Sequence, residues 1–571
     1  RHTATKNTND ETNNDGDNDQ MEKKQQMPYK KLRTKNGKSP GKDGLPPEFY
    51  KRFWDKLGPE LVTVLNEGYE KGHLAPTQQE SIIRLLYKKD DRTYLKNWRP
   101  ISLLNADYKI ATKILTNRLK RVLESLINED QTCAIPNRDI SNNLNLIRDV
   151  LDYTERTHET GILLSLDQEK AFDRVDRSLL HNVLRRFGFG PSFTRWISTI
   201  YAGASAQVIC NGELTETIPL ERGVRQGCPL SPALYVLVAE VLGETIRTDK
   251  TITGFLLPGA HGKEFRLAQY ADDTTLYIKT DRSLQQVLNV VQRYENASGA
   301  RLNKTKTEAM WLGQWSGRTD TPHGLKWVKK MRILGIVFGH GEVETDNWSP
   351  KLAKLEKSLN VWRTRELSLI GKALIINTIG ASRFWYAARV LPVPKWVVLQ
   401  YEKLVWAFIW KTKVQPVARK TMIGPIQEGG IGMVDLATKS KALRASTIAK
   451  GACRANNNWH YMLKHFVGTQ LAQIRPVWAH LRDNKTPSAE KPTPFLQLCI
   501  ETLRETKHSD TKDIYNELLK LVFQVPKPAI RWGIQANCQW KTLWQRVRQR
   551  IAENKKKRPA LDNRAQRGQG P

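Results

Sequence analysis

Cysteine is scarce in this chain and never clustered. The six residues, Cys133, Cys210, Cys228, Cys453, Cys499 and Cys538, are scattered, and no Cys-x-x-Cys pair occurs. They are expected to be buried free thiols in a reducing compartment. Cys453, His460 and His465 approach zinc-like spacing, but no fourth ligand stands near them, so a zinc knuckle is not expected. Long apolar runs are also missing. The most apolar stretch, Ala233 to Ala239, is far shorter than the roughly 20 residues of a membrane-spanning helix. No charged-then-apolar signal segment opens the chain, which points to the cytosol or nucleus. Acidic residues are in deficit, 58 Asp and Glu against 91 Lys and Arg, for a formal net charge of +33. Self-repulsion on that scale calls for a polyanionic partner, nucleic acid ahead of an anionic membrane surface.

At 571 residues the chain is too long for one ordinary core, and three or four structural units are expected. It begins with Arg1 rather than Met, as a fragment or processed piece would. Residues 1–26 are rich in Asn, Asp, Thr and Gln and read as a linker. Lys38 to Gly44 is a basic turn-rich loop, and Phe49, Phe53, Leu57 and Leu61 then recur at helical spacing. Ile82 to Leu86 predicts a strand. A long helix is expected after Leu103, running to about Ile127. Ile162 to Leu166 predicts a short apolar strand that ends on Asp167. Asn211-Gly212, between Val208-Ile209-Cys210 and Leu214, signals a tight hairpin. Residues 229–246 read as a helix, and Leu267 to Ile278 as extended on both sides of Ala271-Asp272-Asp273. Beyond about 345 the pattern is helical and rich in tryptophan, most of it expected to pack in the core. Lys555 to Arg558 opens a basic tail.

Copying a template needs in-line displacement at a nucleotide phosphate, which two divalent cations roughly 4 Å apart can promote. Mg²⁺ takes a few carboxylates together with substrate phosphates. The minimum is two or three aspartates on adjacent rigid strands. Asp272 and Asp273 at a hairpin tip supply two, and Asp167 at a strand end supplies the third. An Asp-Asp pair at a turn is ordinarily turn chemistry. Here apolar strands deliver all three anions to strand ends, where they would be costly without a cation. Gly223 to Pro232 adds two glycines that permit close backbone approach and a proline suited to a helix start.

Several boxes in one order resemble the reverse transcriptases of non-LTR (LINE-class) retrotransposons. Ser165 to Asp173, Gly223 to Pro232, Tyr270 to Asp273, Gly299 to Glu308 and Leu334-Gly335-Ile336 resemble the five palm motifs in turn. Ser39 to Gly44, Arg99 to Leu103 and Gln131 to Leu144 resemble fingers-side motifs. Pro392 to Lys395 and the Trp-rich stretch to Trp410 resemble the region after the thumb. The likeness covers roughly residues 36–435.

The resemblance implies an α+β right-hand polymerase: fingers, a palm with an antiparallel sheet, a helical thumb and a mostly helical C-terminal region. Its segments are expected as a disordered linker at 1–33, a fingers-side extension and fingers at 34–145, and a palm at 146–310. A thumb and connector at 311–420, a helical basic region at 421–553 and a basic disordered tail at 554–571 follow. Asp167 and Asp272, assisted by Asp273, would hold two Mg²⁺ ions, with Mn²⁺ able to substitute. Phe172 would sit under the incoming sugar and exclude a 2′-hydroxyl. Gln168 and Gln226 would touch the nucleotide, Arg99 and Lys88 its triphosphate, and Lys304 or Lys306 would protonate departing pyrophosphate. The implied partners are an RNA template, a DNA primer or target, dNTPs and element RNA in a ribonucleoprotein of nucleus and cytoplasm, with no membrane. The family's reaction is target-primed reverse transcription. Its apurinic-endonuclease-like domain, commonly upstream, is not among these residues.

Overall fold

The computed structural model describes residues 36–88, 90–260, 262–410, 414–453, 457–474 and 492–508. The expected linker at 1–33 and basic tail at 554–571 lie outside them. The described residues fall into two compact units that interleave along the sequence: those within Arg1–Leu119 and Leu184–Ser231, and those within Lys120–Val183 and Pro232–Pro571.

The first unit is built on a five-stranded sheet. Ile82–Tyr87 pairs antiparallel with Trp98–Leu103, from Ile82↔Leu103 to Tyr87↔Trp98. On its other side it runs parallel to Ser205–Cys210. The tight hairpin follows as the sequence predicts: Ile209↔Leu214 and Cys210↔Glu213 close around Asn211 and Gly212, both at positive φ. A two-residue loop with two left-handed residues matches the right-handed twist of its strands. Helices Pro47–Arg52, Trp54–Lys71, Ala106–Leu119 and Pro191–Tyr201 accompany the sheet. The helix expected to reach Ile127 stops at Leu119, and Leu123–Leu126 is a separate turn of helix. Leu115, Leu119, Leu123 and Ile127 are all buried, so apolar spacing runs straight through the break and conceals it.

The second unit holds a five-stranded sheet ordered Lys326–Trp327, Glu308–Leu312, Gly161–Leu166, Asp273–Ile278, Leu267–Tyr270. Gly161–Leu166 is central and antiparallel to both neighbours. Its run of apolar residues is explained by burial on both faces. Ile162, Leu164 and Leu166 pack with Leu242 and Ile246 of helix Ser231–Thr248 and with Val287 and Val290 of helix Asp281–Ser298. Leu163 points the other way, into a second cluster with Tyr277, Met310 and helix Ile140–Thr157. The strict alternation of a pleated strand thus feeds two cores.

That second cluster continues into helices Glu344–Arg363, Leu369–Ile375, Ser382–Ala388, Lys395–Trp410, Leu436–Cys453, Asn458–Ile474 and Pro494–His508. Trp348, Phe384, Tyr401 and Trp459 are fully buried there. The tryptophan expectation largely holds for the described residues: Trp406 is core and Trp385 and Trp410 pack against it, whereas Trp396 is 37% exposed. Among the described residues no helix is long and apolar enough to cross a membrane.

Candidate active site

The register of the second unit's sheet delivers the aspartates. Thr274↔Leu166 is the last pair between Asp273–Ile278 and Gly161–Leu166. One step beyond it stand Asp273 on one strand and Asp167 on the other. The hairpin is tighter than the sequence suggests. Asp273 pairs with Tyr270 and opens its strand, so only Ala271 and Asp272 form the turn. Ala271 takes φ +55°, a left-handed conformation that costs an L residue about 1 kcal/mol or more. Asp167 and Asp272 are half-buried and Asp273 is exposed.

A second segment fixes Asp167. Its carbonyl accepts the Asn303 N–H at 2.7 Å, its N–H donates to Thr307 Oγ1 at 3.4 Å, and the Glu169 N–H donates to the Arg301 carbonyl at 2.8 Å. This strap carries Lys304 and Lys306, both exposed, immediately beside the Asp167 backbone. Phe172 lies flat on Tyr235, with ring centroids 4.6 Å apart and planes within 12°. The Tyr235 hydroxyl donates to Gln168 Oε1 at 3.1 Å. Burial, then the neighbouring Tyr294 and the charges of Asp272 and Asp273, hold the Tyr235 phenol well above its ordinary range, so it remains a donor. Cys133 is pushed up to about 11, first by burial and then by Asp272, with Asp273 contributing less. Its thiol therefore stays neutral near pH 7 and is no thiolate ligand.

The same sheet that bears Asp167 and Asp273 thus gathers Asp272, Gln168, Phe172 and Lys304 in one unit. The other unit gathers Lys88, Arg99 and Gln226. Leu86 pairs with Arg99, the Lys88 N–H donates to the Asn97 carbonyl at 2.9 Å, and the Ser102 N–H donates to the Gln226 carbonyl at 2.9 Å. Lys88 and Arg99 are exposed and Gln226 is half-buried. The close approach expected of the glycine box is to the protein's own backbone. Gly227 sits at φ +115°, and a Cβ there would lie 2.6 Å from the Ser102 carbonyl oxygen. Arg225, given no role by sequence reasoning, is 4% exposed. Its guanidinium lies 5.0 Å from the centre of the Tyr108 ring and bonds the carbonyls of Gln78 and Gln79.

Two further residues escaped the sequence reading of roles. Tyr235 is hidden inside the apolar Ala233–Ala239 run, where only its hydroxyl distinguishes it. Gln131 bonds the backbone of Ala271 across 140 residues of chain, a contact without local signal.

Among the described residues no group of three or more His, Cys, Asp or Glu side chains forms a ready-made metal cage. The donor chemistry nevertheless fits a hard cation. Asp272 and Asp273 both act on Cys133 and on Tyr235, so their charges share one locality. Mg²⁺ needs few carboxylates when substrate phosphates and water complete its shell.

Residues 87–338 match the family model described as reverse transcriptase (RNA-dependent DNA polymerase). The chain is 36% identical over 424 residues to the Transposon TX1 uncharacterized 149 kDa protein of Xenopus laevis, covering 73% of this chain and 32% of that protein. It is 23% identical over 458 residues to the retrovirus-related Pol polyprotein from type-2 retrotransposable element R2DM of Drosophila melanogaster, covering 76% and 41%. A third relative is the RNA-directed DNA polymerase from mobile element jockey of Drosophila funebris, 26% identical over 390 residues, covering 63% and 40%. The chain spans about a third to two fifths of the length of these relatives. These matches identify residues 87–338 as a reverse transcriptase domain and make the chain similar to the polyproteins of non-LTR retrotransposons.

Proposed function

We propose that this chain extends a DNA 3′ end on an RNA template, consuming dNTPs, and that a nicked target serves as primer. The observation that carries the reading is the meeting of Asp167 and Asp273 with the Ala271-Asp272 turn at one end of the strands of a sheet buried on both faces. Asp167 and Asp272, with Asp273, hold the two divalent cations, Mg²⁺ or Mn²⁺. When bound, such a pair activates the primer hydroxyl and neutralises the leaving pyrophosphate. Phe172, backed by Tyr235, closes the space a 2′-hydroxyl would need, and Gln168 and Gln226 contact the nucleotide. Arg99 and Lys88 receive the triphosphate, and Lys304 donates a proton to departing pyrophosphate. The +33 charge supplies a salt-dependent attraction for the RNA–DNA duplex and for element RNA. The ribonucleoprotein works in nucleus and cytoplasm.

The test is primer extension on an RNA template with Mg²⁺, comparing the wild-type chain with Asp272→Asn. Extension by the wild type and none by the variant is expected. Binding of the duplex without any wild-type extension would replace the enzyme with a binding module, and equal extension by Asp272→Asn would overturn the site.

A further inference from the structure

Gln131 takes no part in the chemistry proposed above, yet its side chain is fully buried and devoted to the catalytic turn. Its Oε1 accepts the Ala271 N–H at 2.9 Å and the Cys133 N–H at 3.0 Å. Its Nε2 donates to the Ala271 carbonyl at 3.4 Å. Two backbone donors converging on one amide oxygen leave the amide a single sensible orientation. Ala271 is the residue that most needs holding, because an L side chain at φ +55° is disfavoured and the next residue is Asp272.

The clamp is itself anchored. The Gln269 N–H donates to the Asp130 carbonyl at 2.8 Å, and the Thr132 N–H returns to the Gln269 carbonyl at 2.9 Å, so residues 130–132 run along the outer edge of Leu267–Tyr270. Asn143 Nδ2 reaches the same Gln269 carbonyl at 2.8 Å. Asp130 is buried and pairs with Arg247 at 3.2 Å, and Arg247 also meets Glu240. The hairpin is therefore gripped from its free edge by a segment with its own buried footing.

We propose that Gln131 is a positioning residue that holds Ala271 left-handed and thereby presents the Asp272 carboxylate to the divalent cation. The proposal rests on Asp272 being a metal-holding residue. With the clamp removed, the turn relaxes toward a conformation its alanine prefers, and Asp272 moves while the sheet behind it stays. Reacting groups tolerate little misplacement, since about 1 Å is enough to cost roughly a hundredfold.

The test uses the full chain with Gln131→Met, which keeps the side chain's length and removes its hydrogen bonds. The expected result is a fall in kcat of about ten- to a hundredfold, with the KM for dNTP and the affinity for an RNA–DNA duplex nearly unchanged. Mn²⁺ binding to the enzyme–duplex complex, read from the electron paramagnetic resonance of free Mn²⁺, should weaken several-fold. A second variant guards against a folding defect. Ala271→Gly removes the penalty of the left-handed turn, so adding Gln131→Met in that background should cost much less, as groups acting on one turn are coupled. Wild-type kcat and Mn²⁺ affinity in Gln131→Met would overturn the proposal. So would parallel loss of duplex binding and thermal stability, or the same fold-loss in both backgrounds. Asp272→Asn in the same assays separates the failures. If it extends like wild type, the metal reading and the clamp fall together. If it is inactive while Gln131→Met matches wild type, only the clamp falls.

Discussion

The two five-stranded sheets of this protein are made to different standards. In the sheet bearing the aspartates, every residue of Gly161–Leu166 except Ser165 is buried, and only Asp273 is exposed in Asp273–Ile278. In the sheet bearing Lys88 and Arg99, no residue of Ile82–Tyr87 is fully buried, and Leu86 is 50% exposed. The contrast matches the work that the proposed function asks of each. Carboxylates that define where a cation sits need a scaffold that cannot shift, and close packing on two faces supplies it. Basic side chains proposed to meet a triphosphate would act at longer range and tolerate a solvated strand. Local stability follows buried apolar contact, so the sheet bearing Arg99 should yield first.

The largest effect should come from the rigid sheet's own carboxylate. Asp167→Asn is expected to lower single-nucleotide incorporation by at least about a thousandfold, about 4 kcal/mol of transition-state stabilisation. Steady-state incorporation on an RNA template would show it, and a loss under about tenfold would remove Asp167 from the site. Next come the cores. Leu164→Ala should destabilise the fold by about 2–5 kcal/mol, whereas Leu86→Ala should change stability by about 0.5 kcal/mol or less. Urea denaturation measures both, and equal losses would break the contrast between the sheets.

A smaller effect sharpens selectivity. Phe172→Val should reduce the preference for dNTP over rNTP by at least about tenfold, the scale at which pocket shape discriminates. Tyr235→Leu, which removes the ring beneath Phe172, should shift the ratio of kcat/KM values in the same direction by less. An unchanged ratio in both variants would deprive the stacked pair of any part in sugar selection. The smallest effect is a null one. With its thiol raised to about 11, Cys133 should stay protonated at pH 8 and resist alkylation, while exposed Cys210 reacts. Mass spectrometry after brief iodoacetamide treatment reads both sites.

What could be read in advance was local and periodic. The apolar strand before Asp167, the Asn211-Gly212 hairpin and the extended arms around Asp272 each leave a signature within a few residues. The break at Leu119 left none, because the apolar spacing continues across it. Nor did the interleaving of the two units, since the chain crosses between them without any change of composition. The roles of Gln131, Arg225 and Gly227 are spatial. Gln131 meets Ala271 across 140 residues and Arg225 meets Gln79 across 146, and a Cβ at Gly227 would meet the Ser102 carbonyl. Motif likeness located the box around Gly227, but only packing shows what its glycine and arginine do.

One paired measurement tests the assignment of Asp272 most directly: single-turnover incorporation of dNTP on an RNA template with Mg²⁺, with duplex binding by fluorescence anisotropy on the same samples. The prediction is that wild type both binds and incorporates, while Asp272→Asn binds equally well and does not incorporate. A wild-type chain that binds the duplex and adds no nucleotide, or an Asp272→Asn chain that adds it at the wild-type rate, would contradict the account.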